Sequence, residues 1–361
     1  MHMQRRLRLV AQFAWRHRWA PILLALLLNA TTLFLLDDIT GTDFPAFHAS
    51  GTALLQGRNP YAATGPTGLP NMNPPTLLPL FSVLARLELE TGYRVLQILS
   101  LLIVVASLIY LRRTSSVSSF LRSLWFMSAT SVWYSIVIGQ IYALLLPLVL
   151  ISSDLTGRRR WLAGGVFLGV LVACKPNLAV WPATLLIAGY WQVALAAGLV
   201  AGLCVAVPAL AYGPAIYTEW LSTTREYTVL IAQCTNVSFS GIATNAGVPS
   251  LGWVLSIASL CAFALWAFIT RPQAEQIAAP AIAISILAAP LGWVSYTLLL
   301  LPSIVAMERS WRLHIAAAIL LIPFIFFPIL CQWSLFADLL LVTPLFMVVW
   351  DSLSSARNSP S

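Results

Sequence analysis

The sequence predicts an all-α integral membrane protein, a polytopic bundle of about twelve transmembrane helices in one domain over residues 1–361. Three observations predict it. Of 361 residues, 59% are hydrophobic and 9% are charged, with a mean hydropathy of +0.85. A soluble globular protein carries about 25% charged residues, so this chain cannot cover itself with a polar surface and needs lipid as its solvent. The apolar runs are continuous rather than alternating, which excludes a transmembrane β-barrel. The positive charges are nearly all arginine and fall in short stretches between apolar runs, the pattern of loops on the cytoplasmic side.

Taken in order, the apolar runs place spans near 20–36, 93–111, 118–138, 141–154, 161–174, 177–190, 192–211, 250–270, 277–289, 291–307, 312–330 and 334–350. The first follows a basic start and has no small-x-small cleavage site before Asp37, so it reads as a retained helix. Arg5, Arg6, Arg8, Arg16 and Arg18 put the N-terminus inside. Arg112 and Arg113, then Arg158, Arg159 and Arg160, then Arg271, then Arg309 and Arg312 fall on that same side at this span count. The parity holds if 74–90, "PPTLLPLFSVLARLELE", does not cross. With Arg86, Glu88 and Glu90 it reads as a re-entrant or interfacial helix within the first outer loop. Two long loops, 37–92 and 212–249, then lie outside, and the tail 351–361 reads as disordered and cytoplasmic.

The net charge of +8 follows from this topology and implies no nucleic-acid partner. Five cysteines lie far apart without a CxxC, and read as small residues of apolar helices. The four histidines form no metal set, and there is no DxD, P-loop, GxSxG or HExxH. Neither a metal nor a cofactor is expected.

Polar chemistry concentrates in the outer loops. "GTDFPAFHASGTALLQGRNPY" carries Asp43 at the head of an amphipathic helix, where it is either a helix cap or a general base for a hydroxyl acceptor. His48 is a substrate contact or part of a solvated helix face. Arg58 can hold a phosphate, within a Gly-Arg-Asn-Pro-Tyr turn that ends at Tyr61. "NMNPP", from Asn71 to Pro75, reads as ordinary turn chemistry. Lys175 is the only lysine in the chain and sits against Pro176 in apolar surroundings. It is a partner for a lipid phosphate or a snorkelling residue at a helix end. Gln140 contacts substrate or satisfies broken backbone. Asn236 and Ser238 are hydrogen-bonders suited to a sugar. Trp293 and Tyr296 belong to an aromatic belt or stack on sugar or prenyl chain.

These segments together resemble the GT-C glycosyltransferases, and within them glycosyltransferase family 87, also called DUF2029. Asp43 and Phe44, the helix from Ala49 to Leu55, Gly57, Pro60 and Tyr61 match the family's opening pattern. Pro74 and Pro75, Gly139 and Gln140, "GVFLGVLVACKP", Asn236 with Ser238, and Pro290 with Trp293 follow in the family's order. Asn245 stands near the place of a family arginine, and Ser295 and Tyr296 near that of a family histidine. The resemblance implies an inverting transfer, of mannose by family analogy, from a polyprenyl-phosphate donor to a hydroxyl of a glycolipid or glycan. It implies Asp43 as the base and Lys175, with Arg58, as the group that neutralises the departing phosphate. His48, Tyr61, Gln140, Asn236, Ser238, Trp293 and Tyr296 complete the expected substrate- and donor-binding set. The expected setting is a bacterial inner membrane with both termini cytoplasmic and the site facing the periplasm. The competing readings are a transporter or flippase of lipid-linked saccharides, with Lys175 and Asp338 on its path, and a diverged, non-catalytic member.

Overall fold

The computed structural model describes residues 19–35, 42–114, 120–226, 231–306 and 310–357. The arginines before the first helix, Asp37, Asp38, Arg309 and the end of the tail lie outside these residues. The described residues form helices and turns, with two isolated β-bridges and no strand among them.

The chain opens with α1 (Trp19–Leu35) and α2 (Phe44–Leu55). A 3-10 turn at Pro75–Leu77 leads into α3 (Leu78–Leu84), then α4 (Leu89–Thr114), α5 (Phe120–Ser128) and α6 (Thr130–Val137). Next come α7 (Tyr142–Gly157), α8 (Trp161–Cys174), α9 (Val180–Ile187), α10 (Trp191–Tyr212) and α11 (Ala215–Glu226). The last third holds α12 (Phe239–Asn245), α13 (Pro249–Thr270), α14 (Ala274–Ala288), α15 (Leu301–Ala306), α16 (Trp311–Ile319), α17 (Phe327–Leu330) and α18 (Ser334–Arg357).

By length and apolarity α4, α10, α13 and most of α18 can each cross a bilayer, and they mark a membrane protein. The α16 helix and the segment Phe324–Trp333 make one further span only if a bend of 68° between them is accepted. The other apolar helices have 10–17 residues, below the roughly 20 that a crossing needs. Pro75–Leu84 is among them.

The apolar runs 118–138 and 312–330, each read as one span, are broken, and here as at other helix ends polar side chains serve the freed backbone. A broken helix frees backbone groups that lipid cannot satisfy, so partners must come from the protein. Between α5 and α6, Ala129 is extended, and Thr130 N donates to Leu320 O at 2.8 Å. Asn29 of α1 closes this break: Nδ2 donates to Ser128 O at 3.1 Å, and Oδ1 accepts from Phe324 N at 3.0 Å. At the end of α8, Thr76 Oγ1 donates to Ala173 O at 2.6 Å. After α14, the chain opens at Pro290–Gly292 and Asn236 fills the gap.

Small residues bring the helices close. A Cβ on Gly165 or Gly169 would meet the α10 carbonyls of Val193 or Ala197 at 2.6 Å, so α8 and α10 approach backbone to backbone. A Cβ on Gly51 would meet Phe81 O at 2.3 Å, and Phe47 stacks on Phe81 with centroids 4.8 Å apart. That contact holds α2 against α3.

Two features differ from the sequence reading. Cys234 and Cys331 form a disulfide across 97 residues of chain, with a Cα–Cα distance of 5.5 Å. Nothing in their spacing pairs them; the turn of the chain after α17 does. The helix of α18 also runs through Asp351 to Arg357 instead of ending where the tail begins. Asp351 explains it: its carboxylate accepts from Ser310 Oγ and lies 3.8 Å from Arg312 Nη1, which anchors the last turns.

Candidate active site

A cavity of about 790 Å³ opens among α2, α6, α7, α11 and the breaks after α8 and α14. Its lining carries the polar side chains of Asp43, Gln140, Asn73, Lys175 and Asn177. It also carries the apolar side chains of Met72, Trp220, Leu221, Ile231, Trp253 and Trp293.

Asp43 is set by the turn that ends α6. Gly139 takes φ +69°, the left-handed conformation that stops a helix, and Gln140 N returns to Ser135 O at 2.8 Å. This turn presents two groups to Asp43: Ile138 O accepts from Asp43 N at 2.9 Å, and Gln140 Nε2 donates to Asp43 Oδ2. Asp43 occupies the N-cap position of α2, yet its side chain makes no capping bond. The carboxylate faces Gln140 and the cavity instead, so the cap reading does not hold. Enclosure by protein raises its proton affinity above the usual carboxylate range. The Gln140 hydrogen bond and the nearby Lys175 charge pull the other way.

Lys175 lies at the broken end of α8, where Pro176 cannot continue the helix. Its Nζ donates to Asn73 Oδ1 at 2.8 Å and sits 4.9 Å and 5.4 Å from the ring centroids of Tyr142 and Tyr296. Those rings pack on each other, with centroids 4.4 Å apart. The side chain is 9% exposed, which removes the snorkelling reading. Among the described residues, no carboxylate comes within ion-pair distance of it. Amide and aromatic faces stabilise the cation but leave its charge uncancelled.

Gln140, Trp293 and Tyr296 line the same cavity as Asp43 and Lys175. The other candidates lie elsewhere. Arg58 is exposed and donates Nε to Gln56 Oε1 at 2.9 Å. His48 Nε2 pairs with Leu87 O at 2.9 Å, and His48 is not among the residues that line the cavity. Tyr61 is buried beside the site, with OH donating to Asn73 O at 2.9 Å.

Asn236 and Ser238 are fully buried and bind backbone. Asn236 Nδ2 donates to Ile231 O and Pro290 O, both at 3.0 Å, and Oδ1 accepts from Gly292 N at 2.8 Å. Ser238 Oγ accepts from Gly241 N at 3.0 Å as the cap of α12. Two residues with the look of sugar contacts thus repair the backbone break that carries Trp293. Asn245, near the place of the family arginine, donates to Asp338 Oδ2 at 2.7 Å and does not line the cavity.

Sequence reasoning missed Asn73, Asn177, Tyr142, Tyr134, Trp220 and Trp253. Asn73 was hidden in a stretch rich in turn formers. Tyr142, Tyr134 and Trp253 sit inside apolar helices, where aromatic residues usually serve as core. Among the described residues, no three His, Cys, Asp or Glu side chains converge as a protein metal site would require.

The sequence profile of glycosyltransferase family 87 matches residues 71–295. The match takes in Asn73, Gln140, Lys175 and Trp293, and Asp43 lies before it. No curated protein and no solved structure matches the chain. With well over half of its length matched, and with apolar helices long enough to cross a membrane, the chain belongs to glycosyltransferase family 87 and is an enzyme that transfers sugar.

Proposed function

We propose that this glycosyltransferase moves a sugar, mannose by family analogy, from a polyprenyl phosphate to a hydroxyl of a glycolipid or glycan, with inversion. The observation that carries the proposal is that Asp43 and Lys175 line one cavity together with a set of large apolar side chains. A lipid-phosphate sugar needs an apolar surface for its chain, a cation for its phosphate and a base near its anomeric carbon.

In this reading Asp43 takes the acceptor proton as the acceptor oxygen bonds to the anomeric carbon. The bond from that carbon to the phosphate oxygen breaks on the opposite side. Polyprenyl phosphate leaves with the electron pair, and Lys175 stabilises its charge. Gln140 orients the Asp43 carboxylate through its amide, and Trp293 and Tyr296 border the sugar. Arg58, His48 and Tyr61 take no direct part, in keeping with their positions outside the cavity lining.

The site faces the outside of a bacterial inner membrane, with both termini cytoplasmic and about twelve spans, several of them broken. The disulfide supports this orientation. Disulfides persist in oxidising compartments. Cys234 adjoins Gln233 and Thr235 of the cavity lining, and arginine parity independently puts Cys234 and Cys331 on the outer side.

The test offers purified protein in lipid a radiolabelled polyprenyl-phosphate-mannose and an extract of its host's glycolipids, wild type beside Asp43→Asn. Label should move to product with wild type only. Equal transfer by both would remove Asp43 from the mechanism. No transfer from mannosyl or other polyprenyl-phosphate donors would remove the donor class.

A further inference from the structure

Lys175 is the end of a chain of buried hydrogen bonds that has no part in the reaction as described above. Lys175 Nζ donates to Asn73 Oδ1 at 2.8 Å. Asn73 Nδ2 donates to Asn71 Oδ1 at 3.1 Å, and the same oxygen accepts from Asn73 N at 2.9 Å. Asn71 Nδ2 donates to Ser50 Oγ at 3.2 Å. Ser50 lies on α2, the helix that Asp43 begins. Asn71 and Ser50 are fully buried, and Asn73 is 4% exposed.

The direction of this chain is fixed by chemistry. An ammonium has donors only, so Asn73 must turn its oxygen to Lys175 and its NH2 group away. That NH2 group needs an acceptor, which Asn71 supplies, and Asn71 turns its own NH2 group to Ser50. Every link carries a neutral group. Tyr61 OH on Asn73 O at 2.9 Å, and Trp220 Nε1 on Met72 O at 3.0 Å, pin the backbone of the same turn. The "NMNPP" stretch is thus a built cradle. A carboxylate in the place of Asn73 would hold Lys175 equally well and would cancel its charge.

We propose that Asn73 is a positioning residue that fixes Lys175 through a neutral amide, so that the cavity keeps a seat for one phosphate monoanion or diester beside Asp43. This rests on the reading of Lys175 as the phosphate partner. Asn177, whose Nδ2 is buried without a partner in the same cavity lining, is a second neutral donor for that anion. The seat then selects an anionic headgroup over a neutral one of equal size.

Because Lys175 is the only lysine, acylation by an amine-directed reagent reports on this seat, apart from the N-terminal amine. The experiment acetylates purified protein in nanodiscs with sulfo-N-hydroxysuccinimide acetate and locates the label by peptide mass. Decyl phosphate or decanol is added as protectant to wild type, Asn73→Asp and Asn73→Ser. Decyl phosphate should protect wild-type Lys175 and decanol should not. Asn73→Asp should need at least tenfold more decyl phosphate for the same protection, because its carboxylate occupies the cation. Asn73→Ser stays neutral but holds Lys175 less well. It should need a few-fold more, and it keeps the test available if Asn73→Asp does not fold. Protection of both variants at the wild-type concentration would overturn the role of Asn73 and leave the phosphate seat standing. Absence of protection in wild type would overturn the seat itself.

Discussion

Gln140 donates its side-chain amide to Asp43 across 97 residues of chain, and the carbonyl two residues before it takes the Asp43 backbone N–H. The turn after α6 therefore fixes both the backbone and the carboxylate of the proposed base. Enclosure raises the proton affinity of Asp43, and Gln140 opposes that rise. A base works only when deprotonated, so the rate of transfer should fall as pH drops through a value above the ordinary carboxylate figure of about 4. Gln140→Leu removes a group that favours the carboxylate, so its acid limb should move to higher pH. A pH–rate profile of both proteins checks this, and an unmoved limb would dissociate Gln140 from the base.

The same burial has a consequence for stability. A carboxyl with a raised native pKa binds more protons in the folded than in the unfolded chain within that window. Stability then falls as pH rises from the ordinary value through the raised one. Asp43→Asn removes the ionisation. The variant should lose transfer by about 10²–10⁴-fold yet melt at or above the wild-type temperature at neutral pH. Mild acidification should raise the wild-type midpoint relative to the variant. Thermal scans in detergent at two pH values decide it, and a variant that melts well below wild type would assign Asp43 a structural role.

How much of this was legible in the sequence depended on the range of the interaction involved. Lys175 stood out because a lone ion in apolar company is costly wherever the chain goes, and Asp43 because it heads an amphipathic helix in a polar outer loop. The helices followed from continuous apolar runs and the breaks at Pro176 and Pro290 from their prolines, but the break at Ala129 and the partners that serve these breaks did not. Asn29, Thr76 and Asn236 serve carbonyls and amides far away in sequence, and no local pattern pairs them. Asn236 and Ser238 carried the polarity of a sugar site and spend it on the Pro290–Gly292 backbone. Cys234 and Cys331 meet only through the packing of the folded chain. Asn73 reads as turn chemistry, and it does sit in a turn, but its side chain faces Lys175.

Lys175 itself predicts an asymmetric response to substitution. Lys175→Met keeps the length of the side chain and removes the charge that meets the leaving phosphate. Turnover should fall by about 10²–10³-fold, the loss typical of removing one preorganised electrostatic group. Lys175→Arg should not restore it. The ammonium sits 2.8 Å from Asn73 Oδ1 and 4.9 Å from the Tyr142 ring centroid, and a planar, forked guanidinium does not reproduce that compact point charge. Steady-state rates with a saturating donor test both variants, and near-wild-type turnover of Lys175→Met would exclude Lys175 from leaving-group stabilisation.

Gly139 should be sensitive although it carries no chemistry. Its φ of +69° is unfavourable for other residues, and a Cβ there would lie 2.7 Å from Phe44 Cβ. Phe44 follows Asp43 directly, so any relief of that clash displaces the carboxylate. Gly139→Ala should lower turnover by on the order of 10–10²-fold, the range that a misplacement of about 1 Å produces. Decyl phosphate should still protect Lys175, which is held by Asn73 and not by the Gly139 turn. Loss of both together would indicate general unfolding instead.

The disulfide yields a prediction about topology that needs no substrate. Cys234 and Cys331 are both partly exposed, and Cys234 adjoins Thr235, whose side chain hydrogen-bonds Tyr134 at the cavity. Tyr134 in turn packs on Phe324 and Phe327, with centroids 5.3 Å and 5.9 Å away, just before Cys331. The bond therefore clamps both sides of Tyr134. In intact cells, a membrane-impermeant maleimide should label these two cysteines only after treatment with an impermeant reductant, and both from the outside. Replacing both by serine frees a loop of roughly 100 residues and should cost about 2–4 kcal/mol of stability, seen as a midpoint lower by several degrees. The same variant should lose turnover more than donor affinity, since the released wall borders Asp43 rather than Lys175. Labelling of intact cells without reductant would show two free thiols on the outer face and remove the disulfide, whereas labelling only after the cells are opened would place this face of the cavity in the cytoplasm and reverse the proposed orientation of the enzyme.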